Sequence, residues 1–149
     1  MMQHRMKLRV EPVDWTKAEP AIRTIREAVF IVEQAVPEEL EWDGLDPVCA
    51  HVLAWNENGE AIGTARMQAD GIIGRMAVLK EWRLCGVGAA LLRSLLDLAA
   101  RQGMSRATLA AQIHAIGFYE RAGFYVAGEP FMDAGIQHRM MVIDLLYRM

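Results

Sequence analysis

The sequence contains little cysteine. Its two cysteines, Cys49 and Cys85, form neither a CxxC pair nor part of a cluster of metal-ligating residues. This spacing excludes a disulfide scaffold and the common kinds of zinc site. We therefore expect a cytoplasmic protein, kept in a reducing compartment, that binds no metal.

The sequence also lacks an excess of positive charge and a long apolar run. It has 16 Lys and Arg against 19 Asp and Glu, so it offers no electrostatic footprint for nucleic acid. Its longest apolar stretch, residues 87–100, is interrupted by Arg93 and Asp97, and the first seven residues hold no apolar part of an export signal. We expect no nucleic-acid partner, no membrane span and no export. The expected partner is a small molecule or peptide, with a homodimer left open.

What is present suffices for one folded domain. The chain has 149 residues, of which 53% are hydrophobic, and no repeat or linker divides it. A chain of this length buries a sizeable core. We predict a single domain over residues 1–149.

A glycine-containing loop between an apolar strand and an amphipathic helix is the most informative motif. Residues 83–88 read Arg-Leu-Cys-Gly-Val-Gly, and the helical pattern follows at once. Gly86 and Gly88 would let the backbone adopt positive φ and approach a ligand, while the helix N-terminus attracts an anion. Arg83 would add a fixed cation. The loop predicts a site for one pyrophosphate.

The spacing disfavours two other nucleotide-binding loops. A P-loop needs a lysine and a hydroxyl residue after its last glycine, whereas Ala89, Ala90 and Leu91 follow Gly88. The dinucleotide fingerprint needs a third glycine and an acidic residue at the end of the next strand, but that strand ends in Gln112. ATP and NAD chemistry are both disfavoured.

Hydrophobic periodicity and turn residues predict a mixed order of strands and helices. The predicted strands lie at residues 7–13, 50–55, 61–67, 72–79, 107–111, 124–127 and 138–145. The predicted helices lie at residues 16–32, 87–102 and 113–122. Residues 34–47, with two prolines, a glycine and a run of acids, predict a loop between elements that could cover a site.

Two motifs, in this order, resemble the acetyl-CoA-binding core of the GNAT superfamily of N-acetyltransferases. Arg83-x-x-Gly86-x-Gly88 is followed later in the chain by a Phe-Tyr-Glu-Arg-Ala-Gly-Phe segment at residues 118–124. Residues 29–34, 41–46 and 135–138 resemble the ElaA-like branch of that superfamily. Two residues depart from the pattern: Cys85, where the family often has glycine or a basic residue, and Gln137, where the branch usually has proline.

The resemblance implies an α/β (α+β) fold in which helices flank a central mixed, mostly antiparallel sheet. It implies that acetyl-CoA, the acyl donor, lodges where two strands part near Val78 and Leu109. The implied cofactor-binding residues are Met76, Ala77, Val78, Arg83, Leu84, Cys85, Gly86, Val87, Gly88, Ala89 and Tyr119.

Transfer of an acyl group from a thioester requires a neutral amine, donors for the oxyanion and a proton for the departing thiolate. A phenol, whose pKa is ordinarily about 10, stays protonated at neutral pH and can supply that proton. Tyr119 resembles the family's general acid, and Phe118, about 100° away around the helix, cannot face the same surface. The alternative is that Tyr119 fills the core.

The oxyanion donor is expected from the backbone. Met76, Ala77 and Val78 are apolar and offer no side-chain donor. The resemblance implies that a main-chain N–H near Val78 polarises the thioester carbonyl, and that the pantetheine amides pair with this strand.

The proton acceptor is open between Glu33, His138 and ordered water. Glu33 ends the first helix beside the acidic loop and matches the Glu-Gln pair of the ElaA-like branch, although it could be a solvated helix end. His138 has the side chain best suited to accept a proton near neutral pH, but a histidine in a late strand is often a hydrogen-bonded core residue. His51 and His114 are weaker candidates because they lack a comparable context.

Two further roles, for Cys85 and for the acidic run, have simpler alternatives. Cys85, at a helix N-terminus, is a possible nucleophile, but no histidine accompanies it in the sequence, so direct transfer is preferred. The acidic run could recruit a cationic amine, although such runs are usually solvated. Its members are Glu38, Glu39, Glu41, Asp43 and Asp46.

The sequence thus predicts an enzyme that moves an acetyl group from acetyl-CoA to a primary amine by direct attack. Two alternatives stay open: a non-catalytic acyl-CoA-binding sensor, and a transferase that uses a longer acyl-CoA. The presence of Tyr119 and Glu33 favours the enzyme. A polyamine, an amino acid, an amino sugar and a protein N-terminus all fit as acceptor.

Overall fold

The computed structural model describes residues 7–146, so most of the segment considered for an export signal lies outside it. The strands are β1 (Arg9–Val13), β2 (Ala50–Trp55), β3 (Ala61–Met67), β4 (Ile72–Val78), β5 (Arg106–Gln112), β6 (Tyr125–Asp133) and β7 (Ile136–Asp144). The helices are α1 (Trp15–Arg26), α2 (Glu38–Glu41), α3 (Val87–Arg101) and α4 (Ile116–Arg121). Short 3₁₀ turns lie at Asp46–Val48, Lys80–Trp82 and Ile113–Ala115.

Within residues 7–146, seven strands form one sheet in the order β1-β2-β3-β4-β5-β7-β6. β4 and β5 run parallel, and every other neighbouring pair is antiparallel. A parallel pair needs a crossover connection, which α3 supplies. Successive residues of β2 face opposite sides, since Val52 packs in the cluster of α3 and Leu53 in that of α1. The predicted mixed, mostly antiparallel sheet flanked by helices is confirmed.

The first helix changes its winding before it ends. The predicted helix over residues 16–32 begins at Trp15 as α1, but Glu27–Glu33 form a π-helix. The wider turn rotates successive side chains by a smaller angle, so the buried stripe ends at Val29. Val32, predicted to belong to that stripe, is 78% exposed.

The last two strands are longer than predicted and form one hairpin. Ala134 and Gly135 make its two-residue turn, with φ of 51° and 76°. A bulge in β6 lies between Ala127 and Phe131, where Arg139 Nη2 donates to the Gly128 carbonyl at 2.6 Å. This bulge breaks the alternation of polar and apolar residues, which is why the pattern ended the strand too early.

Candidate active site

The sheet opens between β4 and β5. The two strands pair only at Ile72 with Thr108 and at Ile73 with Leu109. Beyond that point β4 carries a bulge against β3, and Arg75 within it has a φ of 51°. β5 continues instead in register with β7. The divergence leaves β4, as far as Met76, as one wall of a cleft.

The end of β4 presents a backbone donor to this opening. The N–H of Leu79 donates to the Ile62 carbonyl on the β3 side, at 2.9 Å. Because successive N–H groups of a strand point to opposite edges, the N–H of Val78 points to the edge from which β5 has diverged. The Val78 carbonyl, on that same edge, accepts a hydrogen bond from Arg83 Nε at 3.0 Å.

The two glycines of the loop have different structural roles. Gly86 is the N-cap of α3, with a φ of 85° and open space around it. Gly88 does not need positive φ, which corrects the prediction from sequence. A Cβ there would lie 3.3 Å from the Phe118 ring, so Gly88 permits close packing of α3 against α4. Gly86 therefore shapes the turn that leads into α3, whose first-turn N–H groups have no partner within the helix.

The two residues that precede Gly86 are exposed to solvent. Leu84, with a φ of 62°, and Cys85 are both exposed, and the Cys85 thiol donates to the Arg83 carbonyl at 3.3 Å. The Val87 side chain is buried, so only its backbone can meet a ligand.

A cleft of about 510 Å³ extends along the opening. It is bounded by the end of the first helix, α2, β4, β5, α4 and the β6–β7 hairpin. Among the site candidates named from the sequence, Met76, His114, Tyr119 and His138 line it, and so does Glu41 of the acidic run. Ala77 faces the opposite side of the sheet and packs in the cluster of α1. Glu33 and His51 lie outside the residues that line the cleft.

Tyr119 faces the cleft from α4. Its ring makes edge contacts with Phe118 and Phe124, with centroids 5.0 and 5.9 Å away. Burial raises the pKa of the phenol above its usual value of 10.0. Phe118 instead packs toward Gly88, so the two neighbouring aromatic residues face different surfaces, as helical spacing requires. The phenol is thus held protonated at the cleft wall.

His138 reaches the cleft from β7. Its side chain is 8% exposed, stacks on Phe131 and places Nδ1 at 2.7 Å from the Ile136 carbonyl. A carbonyl oxygen only accepts, so we assign the proton to Nδ1. In the neutral ring this leaves the lone pair on Nε2, which makes Nε2 able to accept a proton.

Glu33 is held by Arg83. Its two carboxylate oxygens accept hydrogen bonds from Arg83 Nη1 and Nη2 at 2.5 and 2.6 Å. The hydrogen bond from Arg83 lowers the pKa of Glu33, and the same contact raises the pKa of Arg83. This pairing disfavours Glu33 as a proton acceptor. It also balances the charge of Arg83, which the sequence predicted to add a fixed cation beside the glycine loop.

The acidic segment is folded and its central acids are paired. Residues 34–47, predicted as a loop, contain α2 and the start of a 3₁₀ turn. Arg26, only 1% exposed, bonds Glu41 and Asp46, each at 2.7 Å. Arg66 holds Asp46 at 2.9 Å and Asp43 at 2.5 Å. These three carboxylates are therefore neutralised by arginines rather than solvated or left free for an amine.

Arg75 joins this network to the β4 bulge. It donates to the carbonyls of Leu40 and Glu41 at 3.1 and 3.2 Å, and to Asp43 at 3.2 Å. Sequence reasoning missed Arg26, Arg66 and Arg75. A signal existed for Arg26, which follows Ile25 on the apolar face of α1, and for Arg66, which sits in an otherwise apolar strand.

The remaining candidates have structural or peripheral positions. His51 is buried, donates from Nε2 to the Asp46 carbonyl at 2.8 Å and stacks on Trp15. Burial lowers its pKa. His114 is exposed at the rim of the cleft. In the described part of the chain, no group of three His, Cys, Asp or Glu residues is arranged to hold a metal, and no helix is long and apolar enough to cross a membrane.

Comparison with known sequences identifies the family. Residues 16–145 match the Acetyltransferase (GNAT) domain. The Bacillus subtilis (strain 168) protein named Uncharacterized N-acetyltransferase YjcF is 39% identical over 123 residues, which span 80% of this chain and 88% of that protein.

Solved structures agree with this assignment. Escherichia coli ElaA matches with a TM-score of 0.81 and 28% identity, covering 91% of this chain and 99% of ElaA. An acyl-CoA N-acyltransferase from Pseudomonas aeruginosa matches with a TM-score of 0.76 and 27% identity, covering 93% and 99% of the two chains. With its divided sheet, its glycine loop and the tyrosine on α4, the chain belongs to the GNAT family of acetyltransferases.

Proposed function

We propose that the protein transfers an acetyl group from acetyl-CoA to a primary amine of a small molecule or peptide by direct attack. The observation that carries the proposal is that Tyr119, a phenol with a raised pKa, and His138, with Nε2 able to accept a proton, line one cleft. We also propose a cytoplasmic protein whose single domain spans residues 1–149.

The residues around Gly86 fit the pyrophosphate of CoA. The open space at Gly86 and the N-terminus of α3 offer backbone N–H groups to an anion without a side chain in the way. When bound, acetyl-CoA supplies the thioester whose acetyl group is transferred. The loop from Arg83 to Ala89 would hold its phosphates, and Met76, Ala77 and Val78 would contact the pantetheine arm through their backbone.

Three groups of the chain serve the transfer. The Val78 N–H donates to the carbonyl oxygen as negative charge develops there. His138 Nε2, directly or through water, takes the proton that the attacking amine loses as its nitrogen bonds to the acetyl carbon. Tyr119 gives its proton to the sulfur as the carbon–sulfur bond breaks. No covalent intermediate on Cys85 is required.

Glu33 has a positioning role in this scheme. By holding Arg83, it orients the guanidinium whose Nε binds the Val78 carbonyl. The pair thereby supports the strand end that carries the oxyanion donor. His138, which lines the cleft, is favoured over Glu33 as the proton acceptor.

Release of free thiol from acetyl-CoA across a panel of primary amines tests the proposal. We expect release that depends on an amine and falls in a Tyr119→Phe variant. Tight CoA binding without release for any amine would instead support the acyl-CoA sensor. Running the panel with propionyl-CoA and butyryl-CoA addresses the longer donor, which the name of the Pseudomonas aeruginosa neighbour leaves open.

A further inference from the structure

The cleft contains one carboxylate whose charge is not balanced. Of the ionic side chains that line it, Glu41, Arg66 and Arg75 belong to the arginine–carboxylate network. Asp133, at the end of β6, is exposed and lines the same cleft. Among residues 7–146, no side chain or backbone group makes an ion pair or a hydrogen bond to its carboxylate. The cleft therefore carries a negative charge available to a ligand.

The hairpin register places this charge near His138. Asp133 pairs with Ile136, and Phe131 pairs with His138. Residues two apart on a strand share one face, so Asp133 and His138 are diagonal neighbours on the cleft side. Diagonal neighbours of an antiparallel pair lie about 7–8 Å apart. A ligand that places a cation at Asp133 and a second nitrogen at His138 would therefore need only a few covalent bonds between the two nitrogens.

The walls of the cleft suit the connection between two such nitrogens. Phe30, Val36, Leu40 and Ile136 line it with apolar surface. A short hydrocarbon chain would be covered by this surface, while its two ends would meet polar groups.

We propose that Asp133 binds a second cationic group of the acceptor, so that the preferred substrates are short aliphatic diamines. This inference rests on the proposed amine acetylation, because His138 Nε2 marks where the reacting nitrogen loses its proton. The amine that reacts is deprotonated at His138, while the distal ammonium stays charged against Asp133. Asp133 is then a specificity-determining residue that does not touch the reacting atoms.

The test compares two acceptors of similar length, 1,4-diaminobutane and 4-amino-1-butanol, in which a hydroxyl replaces the distal ammonium. Wild type should show a kcat/KM about tenfold higher for the diamine, the size of a charge-assisted contact at a partly solvated site. Asp133→Asn should remove that preference and change kcat/KM for the amino alcohol by less than about twofold. Glu129→Gln, an exposed carboxylate on the same strand outside the cleft lining, should leave the preference unchanged.

The inference is overturned if Asp133→Asn lowers kcat/KM equally for both acceptors, or if wild type does not prefer the diamine. Titration calorimetry of 1,4-diaminobutane into the CoA-bound protein separates this inference from the proposed function. If no amine releases thiol, yet the diamine binds at least about fivefold more tightly to wild type than to Asp133→Asn, the cation site stands and the acetylation proposal fails. Equal binding to the two proteins would contradict the cation site whether or not turnover occurs.

Discussion

The carboxylate of Glu33 accepts two hydrogen bonds from the guanidinium of Arg83, at 2.5 and 2.6 Å. Glu33 ends the π-helical segment, and Arg83 stands at the entry to the glycine loop. Arg83 also binds the carbonyl of Val78, the last residue of β4. One ion pair therefore ties the end of the first helix to the strand end that bears the proposed oxyanion donor.

Loss of the Glu33 charge should slow transfer without changing its proton acceptor. We expect Glu33→Gln to lower kcat by about tenfold, because a loosened Arg83 lets the Val78 backbone drift from its productive position. The increase of the transfer rate with pH, which we expect a general base to produce, should remain. Glu27→Gln, an exposed carboxylate on the same helix, serves as the control. Disappearance of the pH-dependent rise in Glu33→Gln would identify Glu33 as the proton acceptor instead.

Removal of the His138 imidazole should abolish that pH-dependent rise. A general base accepts a proton only in its deprotonated form, so removal of the base removes the increase of rate with pH that it causes. We expect kcat/KM of His138→Gln to lose this limb when measured from pH 5 to 9. His114→Gln, at the cleft rim, should keep it. If His138→Gln also kept the limb, the amine's own deprotonation, with water as proton acceptor, would explain the profile.

Loss of the Tyr119 hydroxyl should slow acetyl transfer without weakening CoA binding. Tyr119→Phe should lower the transfer rate by about 10²-fold, a typical loss for a general acid, with CoA affinity unchanged by calorimetry. Because burial raises the pKa of Tyr119, the wild-type rate should not fall from loss of this proton until the pH exceeds the ordinary tyrosine value. Tyr125→Phe, at an exposed tyrosine on β6, is the matched control. Full turnover in Tyr119→Phe, with chemistry rate-limiting, would make Tyr119 a packing residue.

A charge at Gly86 should weaken CoA binding. We expect Gly86→Asp to lower CoA affinity more than about tenfold, because a carboxylate would face the pyrophosphate. Gly59→Asp provides a control for backbone strain, since Gly59 has a φ of 80° in equally open space. Cys85→Ser should have a mild effect. Similar CoA affinity in the folded Gly86→Asp and Gly59→Asp proteins would show that the loop does not bind the phosphates.

Loss of Arg26 should destabilise the fold. Arg26→Met leaves Glu41 and Asp46 buried with part of their pairing gone, and we expect a loss of about 3–5 kcal/mol in the free energy of unfolding. Arg23→Met, which breaks an exposed pair with Glu19, should cost less than about 1 kcal/mol. Both side chains also lie over the Trp42 ring, so the comparison isolates the buried charges. Urea unfolding measures the difference, and equal losses would contradict the argument.

The same network should make stability depend on pH in the acid range. The hydrogen bond from Arg66 lowers the pKa of Asp43, and those from Arg26 and Arg66 lower that of Asp46 against the opposing effect of burial. Because the carboxyl pKa is lower in the folded protein, the ionised carboxylates stabilise the fold fully above the pKa of the unfolded chain, about 3.9. This stabilisation is lost as the pH falls toward the pKa of the folded protein. The free energy of unfolding should therefore drop below about pH 4.

Local sequence determined the parts of this protein that depend on neighbours along the chain. Hydrophobic periodicity predicted α3 and most of the strands. Gly86 indicated the turn before α3, because glycine adopts a positive φ without help from residues elsewhere in the chain. Helical spacing separated Phe118 from Tyr119. The pairing of the glycine loop with the tyrosine-bearing helix was enough to point to the family.

Only the tertiary structure decided which charged and polar groups meet. In the sequence, Glu33 resembles a solvated helix end, Arg83 a cation beside the glycine loop, and the acids of residues 38–46 a solvated run. Arg26 reaches those acids from α1, Arg66 from β3 and Arg75 from the β4 bulge. The β6–β7 hairpin carries His138 and Asp133 to the cleft. Its full length could not be predicted, because the bulge in β6 interrupts the alternation of polar and apolar residues. These contacts join residues that are far apart in the chain. Hydrophobic periodicity predicts which face of a helix or strand a residue occupies, but not which residues of other elements that face contacts.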